Sequence, residues 1–143
     1  MPDPMTDMLA SMKIRLRAGG HSKDIGLRLV AHGDNWAELA FDYDPRLASS
    51  AETGILASGP IVSLIDTASG AAITATNSGM QSMATLDLRV DYMRAAIPGR
   101  SMHARATCYR IARNIAFVRC DAHDGDPDDL VATAMGSFYF TTE

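Results

Sequence analysis

The sequence predicts an α+β fold in which a six-stranded antiparallel sheet wraps around one long central helix, preceded by a short N-terminal helix. Three observations carry this prediction. The stretch 53–86 contains one charged residue, Asp66, and an almost uncharged helix must be enclosed on most sides. Two strand-like segments precede this stretch, and four follow it without another helical pattern. A chain of 143 residues can bury one such core, so we expect a single domain over 1–143.

The overall composition is that of an ordinary soluble globular protein, with 47% hydrophobic and 21% charged residues. A net charge of −4 argues against a general nucleic-acid binder, which needs a basic face. The first residues lack the basic segment of a secretory signal, and the polar residues of 67–86 exclude a membrane-spanning helix. We therefore expect a cytoplasmic protein. Cys108 and Cys120 are expected to be reduced core thiols, and their spacing indicates no metal site.

A short N-terminal helix is predicted over residues 3–18. Asp3 can cap it, and Pro4 suits the first helical position, where its missing N–H costs nothing. The pair Gly19-Gly20 ends the helix. Its apolar residues recur at helical spacing and form one stripe, at Met5, Met8, Leu9 and Met12. Such a stripe either packs on the core or lines an apolar pocket, and the sequence leaves both interpretations open.

A hairpin follows the first helix, with strands predicted over 26–32 and 36–43. The residues Gly33-Asp34-Asn35 between these segments give a strong turn signal. Pro45 then breaks the second strand. The small polar residues of 44–58 indicate an irregular connection to the next element.

The central helix is predicted to begin at Gly59 or Pro60 and to occupy about 59–77. Gly59, or the side chain of Ser58, can cap it, and Pro60 is tolerated in the first turn. The run Asn77-Ser78-Gly79 ends the helix. Alanine and glycine dominate its second half, so this part of the helix can approach a sheet closely.

Four more strands are predicted after the central helix, over 82–94, 100–111, 114–123 and 130–141. The first of them alternates apolar and charged residues, which places one apolar set on a single face, at Leu86, Leu88, Val90 and Tyr92. Pro98-Gly99 and Arg113-Asn114 mark the turns, and a charged loop covers 124–129.

Asp66 is the residue that points to chemistry. Burying an ionised carboxylate without partners is very costly, so an isolated one in an apolar stretch has a specific task. That task is either catalytic, or structural as an acceptor for backbone N–H groups where two subunits meet. Burial by itself leaves both interpretations open.

The predicted layout, together with residues 54–72, resembles the hotdog-fold acyl-CoA thioesterases, in particular their phenylacetate-type (PaaI-like) branch. In that branch the entrance of the helix reads N-x-x-G-x-x-H-G-G, and an acid follows seven residues after the last Gly. The same places hold Ala51, Gly54, Ala57-Ser58-Gly59 and Asp66 here. Further segments resemble the family's third strand, fourth-to-fifth turn and closing strand, at 84–99, 113–116 and 131–138.

The resemblance implies an acyl-CoA thioesterase with Asp66 as general base or nucleophile. Free backbone N–H groups of Ser58 and Gly59, at the positive end of the helix dipole, would stabilise the oxyanion. The resemblance also implies that Thr85, on the next strand, orients the attacking water. It implies a homodimer or homotetramer, because acid and oxyanion donors come from different subunits in the family. No metal or other cofactor is expected, and coenzyme A enters as part of the substrate.

The sequence departs from the family pattern at two side chains, because Ala51 replaces the family's Asn and Ala57 replaces its His. This departure favours, as the alternative, a non-catalytic protein that binds or senses acyl-CoA. A hotdog hydratase is the third hypothesis, and it is ranked last because that chemistry uses an Asp/His pair and 53–86 contains no His.

A basic rim is expected near the pocket because coenzyme A carries phosphates. Arg94, Arg100 and Arg113 lie at predicted strand ends or turns and are the candidates for binding it. The alternative is that these arginines are solvated turn residues.

Overall fold

The structure, a computed structural model, describes residues 4–76 and 82–141. It contains three α-helices in this part of the chain: α1 (Pro4–Arg17), α2 (His21–Ile25) and α3 (Ser58–Ala75). Six strands accompany them: β1 (Arg28–His32), β2 (Trp36–Phe41), β3 (Met83–Tyr92), β4 (Met102–Ala112), β5 (Ile115–His123) and β6 (Ala132–Phe140). The predicted cap at Asp3, the helix end at Asn77-Ser78-Gly79, and the side chains of Met5, Met8 and Leu9 lie outside the described residues.

The six strands form one antiparallel sheet in the order β1-β2-β4-β5-β6-β3. The predicted α+β architecture is therefore confirmed, with every predicted strand present to within two residues at most ends. Helix α2 was not predicted, since five residues are too few to show a helical period. None of the helices in the described ranges is both long and apolar enough to cross a membrane.

Helix α3 fills the concave side of the sheet and packs mainly on β2, β4 and β5. Leu64 and Ile65 are fully buried there, and small residues such as Ala68 and Ala72 let the backbone approach the strands. Cys108 and Cys120 are free thiols in this core, which confirms the prediction. Much less of α3 contacts β3 and β6, so a gap remains between the helix and this side of the sheet.

Helix α3 begins one residue earlier than the sequence predicted. Its N-cap is Ala57, in extended conformation, and no side chain caps the helix. The expected caps at Gly59 or Ser58 are therefore wrong: both residues lie inside the first turn, with Pro60. Because alanine offers no side-chain acceptor, the cap residue leaves the first N–H groups of the helix available to other acceptors.

Strand β3 forms one edge of the sheet and contains a β-bulge. The register with β6 shifts between Thr85 and Asp87, so Leu86 is the extra residue and is 56% exposed. Strict alternation had placed Leu86 on the face of Leu88, and this prediction is wrong. The bulge reverses the side-chain order before it, so that Thr85 pairs with the buried Phe138 and faces the helix.

Candidate active site

Asp66 and Thr85 meet where α3 passes the edge strand β3. The Thr85 hydroxyl donates a hydrogen bond of 2.7 Å, from Oγ1 to Asp66 Oδ1. Asp66 lies in the third turn of the helix, and the bulge at Leu86 turns Thr85 towards it. Asp66 is half-buried in the single chain, which is less than its apolar surroundings in the sequence suggested. The reason is that α3 and the β3–β6 side of the sheet stand apart at this point.

A cavity of about 500 Å³ occupies this gap, and the Asp66 carboxylate lies on its wall. The cavity is lined by apolar side chains together with the Asp66 carboxyl, the Arg15 guanidinium and several serine and threonine hydroxyls, so it offers an apolar surface interrupted by polar groups, as ligand sites do. Most of its lining comes from α1, α3 and the β3–β6 edge, namely Met12, Arg15, Leu16, Asp66, Thr67, Gly70, Ala71, Thr74, Met83, Thr85 and Phe138. Met12 thus lines a pocket while also packing against the core, and both interpretations of the methionine stripe hold for it.

The start of α3 presents the second predicted element of the site. Ser58 and Gly59 are exposed, and their N–H groups belong to the first helical turn, which has no intrahelical acceptors. Seven residues separate Gly59 from Asp66, which corresponds to about 10 Å along the helix axis. Within one chain the structure therefore does not bring these N–H groups to the Asp66 carboxylate.

Two tyrosines hold the segment before α3, and the sequence interpretation had assigned both of them only to strand faces. Tyr43 donates from Oη to the carbonyl of Gly54 at 2.6 Å, and Gly54 has the left-handed φ of 68° that favours glycine. Tyr92 donates from Oη to the carbonyl of Ser58 at 3.4 Å. Burial raises the pKa of Tyr92, so its hydroxyl stays a donor at neutral pH. In the sequence each tyrosine is only the last member of an alternating apolar set, and nothing there indicates these hydrogen bonds.

The N–H donors of the Arg94 guanidinium all bind acceptors within the protein. Its guanidinium donates to both carboxylate oxygens of Asp124, at 2.6 and 3.0 Å, and to Asp129 Oδ1 at 3.1 Å. The carbonyls of Ala95 and Asp129 accept the remaining bonds. A guanidinium has five N–H donors, and all five have partners. Arg94 therefore anchors a loop and has no N–H donor left for a phosphate of coenzyme A.

The other two candidate arginines lie far apart. Arg100 precedes β4 and is exposed, whereas Arg113 follows β4 in a turn with a positive φ of 55°. The eleven residues of β4 separate them, which corresponds to about 33 Å. The three arginines thus do not form one basic rim within a chain. Arg100 remains a candidate, because Pro98 in the same loop lies beside Gly54, just before α3.

Metal-binding residue types do not converge at this site. In residues 4–76 and 82–141 no group of three or more His, Cys, Asp or Glu side chains could hold a metal ion. Gly70, Met83 and Phe138 also line the cavity, although the sequence did not predict them as site residues. They looked like ordinary core positions, and only the separation of α3 from β3 and β6 shows otherwise.

Comparison with known proteins identifies the relatives of this chain. Residues 53–131 match the family model described as the Thioesterase superfamily. The chain is similar to the medium/long-chain acyl-CoA thioesterase YigI of Salmonella typhimurium, at 29% identity over 120 residues, 73% of this chain and 76% of that protein. A solved protein of Pseudomonas aeruginosa matches with a TM-score of 0.83 and 30% identity, covering 94% of this chain and 99% of its own.

A third likeness concerns the fold alone. A mutant of the phenylacetic acid degradation protein PaaI of Thermus thermophilus matches with a TM-score of 0.72 and 22% identity, over 83% of this chain and 96% of its own. Together with the six-stranded sheet around α3, these superpositions confirm the hotdog fold that the resemblance predicted.

Proposed function

Since this chain belongs to the thioesterase superfamily, we propose that it hydrolyses an acyl-CoA thioester to a free acid and coenzyme A. The observation that carries the proposal is the 2.7 Å hydrogen bond from Thr85 to Asp66 on the wall of a cavity whose lining is partly apolar. The apolar part of the lining, with Met12, Met83 and Phe138, suits the alkyl part of an acyl group. The curated relative that is named a medium/long-chain acyl-CoA thioesterase supports the same substrate class.

In the proposed mechanism Asp66 accepts a proton from water, whose oxygen attacks the thioester carbonyl carbon. Thr85 donates to one carboxylate oxygen and so fixes the direction of the other. The oxyanion of the tetrahedral intermediate accepts hydrogen bonds from N–H groups at the start of α3. Its collapse breaks the C–S bond, and the leaving thiolate takes up the proton that Asp66 had accepted, which releases coenzyme A and restores the carboxylate. Direct attack by Asp66 on the carbonyl, followed by hydrolysis of the anhydride, uses the same groups. Neither route needs a metal or other cofactor.

We propose a homodimer as the catalytic unit, with a tetramer as a further assembly of dimers. Asp66 and the N–H groups of Ser58 and Gly59 lie about 10 Å apart along one helix, so one carbonyl cannot reach both within a chain. Two observations support a partner at β3. Among the described residues no strand pairs with its outer edge, and Leu86 on the strand and Met93 at its end are exposed. Such edges invite pairing with a second copy.

Replacing Leu86 with lysine is expected to weaken this dimer. The wild-type protein should sediment as a species of at least twice its chain mass, and Leu86→Lys should shift the distribution towards the 15.3 kDa monomer. Ile14→Lys is the matched control, because Ile14 is also exposed, at 68%, but belongs to α1 and not to the edge strand. Wild-type protein that is monomeric at assay concentrations would refute the two-subunit site.

Release of coenzyme A thiol from a panel of acyl-CoAs tests the function, and Thr85 variants test its site. Wild-type protein should release thiol from at least the medium and long acyl chains. Thr85→Val removes the hydroxyl at nearly constant volume and should lower kcat about ten- to hundredfold, because the carboxylate loses its orientation. Thr85→Ser keeps the donor and should retain most of the activity. Equal activity of the Val and Ser variants would show that the hydrogen bond has no catalytic use.

The alternative is a protein that binds or senses acyl-CoA without hydrolysis, which the alanines at positions 51 and 57 suggested. Other contacts hold the entrance of the helix, so this segment does not need a side chain at position 57 for support. Ala57 N donates to the carbonyl of Leu47 at 2.9 Å, Leu56 pairs with Ala48, and Tyr43 bonds Gly54. A panel without any thiol release, combined with measurable affinity for acyl-CoA, would favour the alternative. A cytoplasmic location stays a prediction in either case.

A further inference from the structure

Gly70 occupies an unusual position, in the interior of α3 and on the wall of the cavity. Glycine is the least favourable residue in a helix interior apart from proline, so its presence there calls for a steric reason. In the described part of the chain no atom lies close enough to Gly70 to exclude a side chain there. A Cβ built on Gly70 would meet only Met83 Sδ, at 3.8 Å, which is an ordinary van der Waals contact. The space that glycine leaves open belongs to the cavity.

The cavity wall places Gly70 directly beyond Asp66 on the same helix face. Asp66, Gly70 and Thr74 all line the cavity, and successive members are four residues apart. Gly70 therefore lies about 6 Å and Thr74 about 12 Å from Asp66 along the helix axis. An acyl chain whose carbonyl stands at Asp66 and which follows this wall must pass Gly70 before it reaches Thr74.

Large and flexible apolar side chains form another part of the cavity lining. Met12 and Leu16 of α1 contribute to it, with Met83 from the start of β3. A large substituent on Gly70 would project into the cavity beside Met83 and therefore narrow it. It would leave the Thr85–Asp66 hydrogen bond, one turn away, in place.

From these positions we infer that Gly70 determines the acyl-chain length that the enzyme accepts, by keeping the passage beyond Asp66 open for medium and long chains. The inference rests on the proposed thioesterase function. Thr74 forms the next level of the same passage. Short acyl groups end before Gly70 and do not depend on it.

Hydrolysis of a series of acyl-CoAs by graded variants tests the inference, with acetyl-, butanoyl-, octanoyl-, dodecanoyl- and hexadecanoyl-CoA as substrates. Gly70→Leu should lower kcat/KM for octanoyl-CoA and longer substrates about ten- to hundredfold, the usual effect of misfit in an apolar pocket, with little change for the two shortest. Thr74→Ile should affect only the longest substrates. Gly70→Ala should raise the thermal midpoint and lower kcat/KM for the long substrates less than Gly70→Leu does, because its methyl group fits beside Met83 but occupies part of the passage.

The outcomes separate this inference from the proposed function. A loss for Gly70→Leu that is equal at every chain length, or a changed oligomeric mass, would overturn the inference and assign Gly70 to subunit packing. Wild-type protein that hydrolyses none of the acyl-CoAs would overturn the proposed function instead. In that case the dissociation constants of the same acyl-CoAs test the role of Gly70. If Gly70→Leu weakens the binding of the longer acyl-CoAs only, the role in chain length is supported. If it weakens the binding of all of them equally, the role is refuted.

Discussion

Asp66→Asn is expected to lower kcat about 10²–10⁴-fold while acyl-CoA binding stays close to that of the wild type. The amide has the shape of the carboxylate, and its oxygen can still accept the hydrogen bond from Thr85. It can neither take a proton from water nor attack a carbonyl at neutral pH. The measurement is thiol release at saturating substrate, together with the affinity for a non-hydrolysable thioether analogue of the acyl-CoA.

Asp87→Asn is the matched control for this experiment. Asp87 is exposed and lies just past the bulge on β3, opposite Ser137 on the outer face of the sheet, so its charge does not face the cavity. The Asp87→Asn variant should keep the wild-type kcat. If Asp66→Asn retained turnover within about tenfold, general-base or nucleophilic catalysis by Asp66 would be ruled out, since such catalysis contributes at least about 10². Thermal midpoints close to that of the wild type would exclude unfolding as the cause of a loss.

The architecture could be predicted from the sequence because buried apolar residues recur with the period of the helix or strand to which they belong. The uncharged stretch 53–86 identified the enclosed helix, and alternation located the strands, since one face of each strand contacts that helix. The carboxylate itself was recognisable for the same reason: one charge in an apolar stretch stands out. Its true exposure was not recognisable, because it depends on how far the β3–β6 side of the sheet stands from α3.

The bulge at Leu86 explains why the orientation of Thr85 could not be predicted from the sequence. Regular alternation through Leu86 would direct Thr85 to the outer face of the sheet, with Asp87. Because of the extra residue, Thr85 lies on the same face of the sheet as Leu88, and its hydroxyl reaches Asp66. Nothing in the residue types of this strand marks the bulge. Only the resemblance to a family suggested Thr85, and it gave no reason for its orientation.

Arg94 was misjudged for a different physical reason. Arginines near strand ends look alike in a sequence, and their function depends on which carboxylates the loops bring close. Asp124 and Asp129 lie in a loop some thirty residues later, and together with two carbonyls they take up all five donors of Arg94. No donor is left for a phosphate. The same contacts make Asp124 a position at which a nearly isosteric substitution should destabilise the fold measurably.

Asp124→Asn is expected to lower the free energy of unfolding by about 2 kcal/mol. The Asp124 carboxylate is fully buried and also accepts a hydrogen bond of 2.8 Å from the Ile97 N–H, so an amide NH₂ would place a donor against the donors of Arg94. The loss stays below the roughly 3–5 kcal/mol of a fully buried ion pair, because the Arg94 side chain is 25% exposed. Asp129→Asn is the control: Asp129 also contacts Arg94 but is 65% exposed, and should cost less than about 1 kcal/mol.

The pH dependence of this difference distinguishes a lost ion pair from a loss of packing. The hydrogen bonds from Arg94, and then that from the Ile97 N–H, lower the pKa of Asp124 from 3.8 to about 2, although burial acts in the opposite direction. A pKa that is lower in the folded than in the unfolded protein stabilises the fold above the unfolded pKa, and the stabilisation disappears as the pH falls to the folded pKa. In chemical denaturation series the gap between wild type and Asp124→Asn should therefore be constant above about pH 5 and narrow from there towards about pH 2. A gap that is independent of pH would mean that the carboxylate's charge does not contribute, and that Asp124 acts through shape alone.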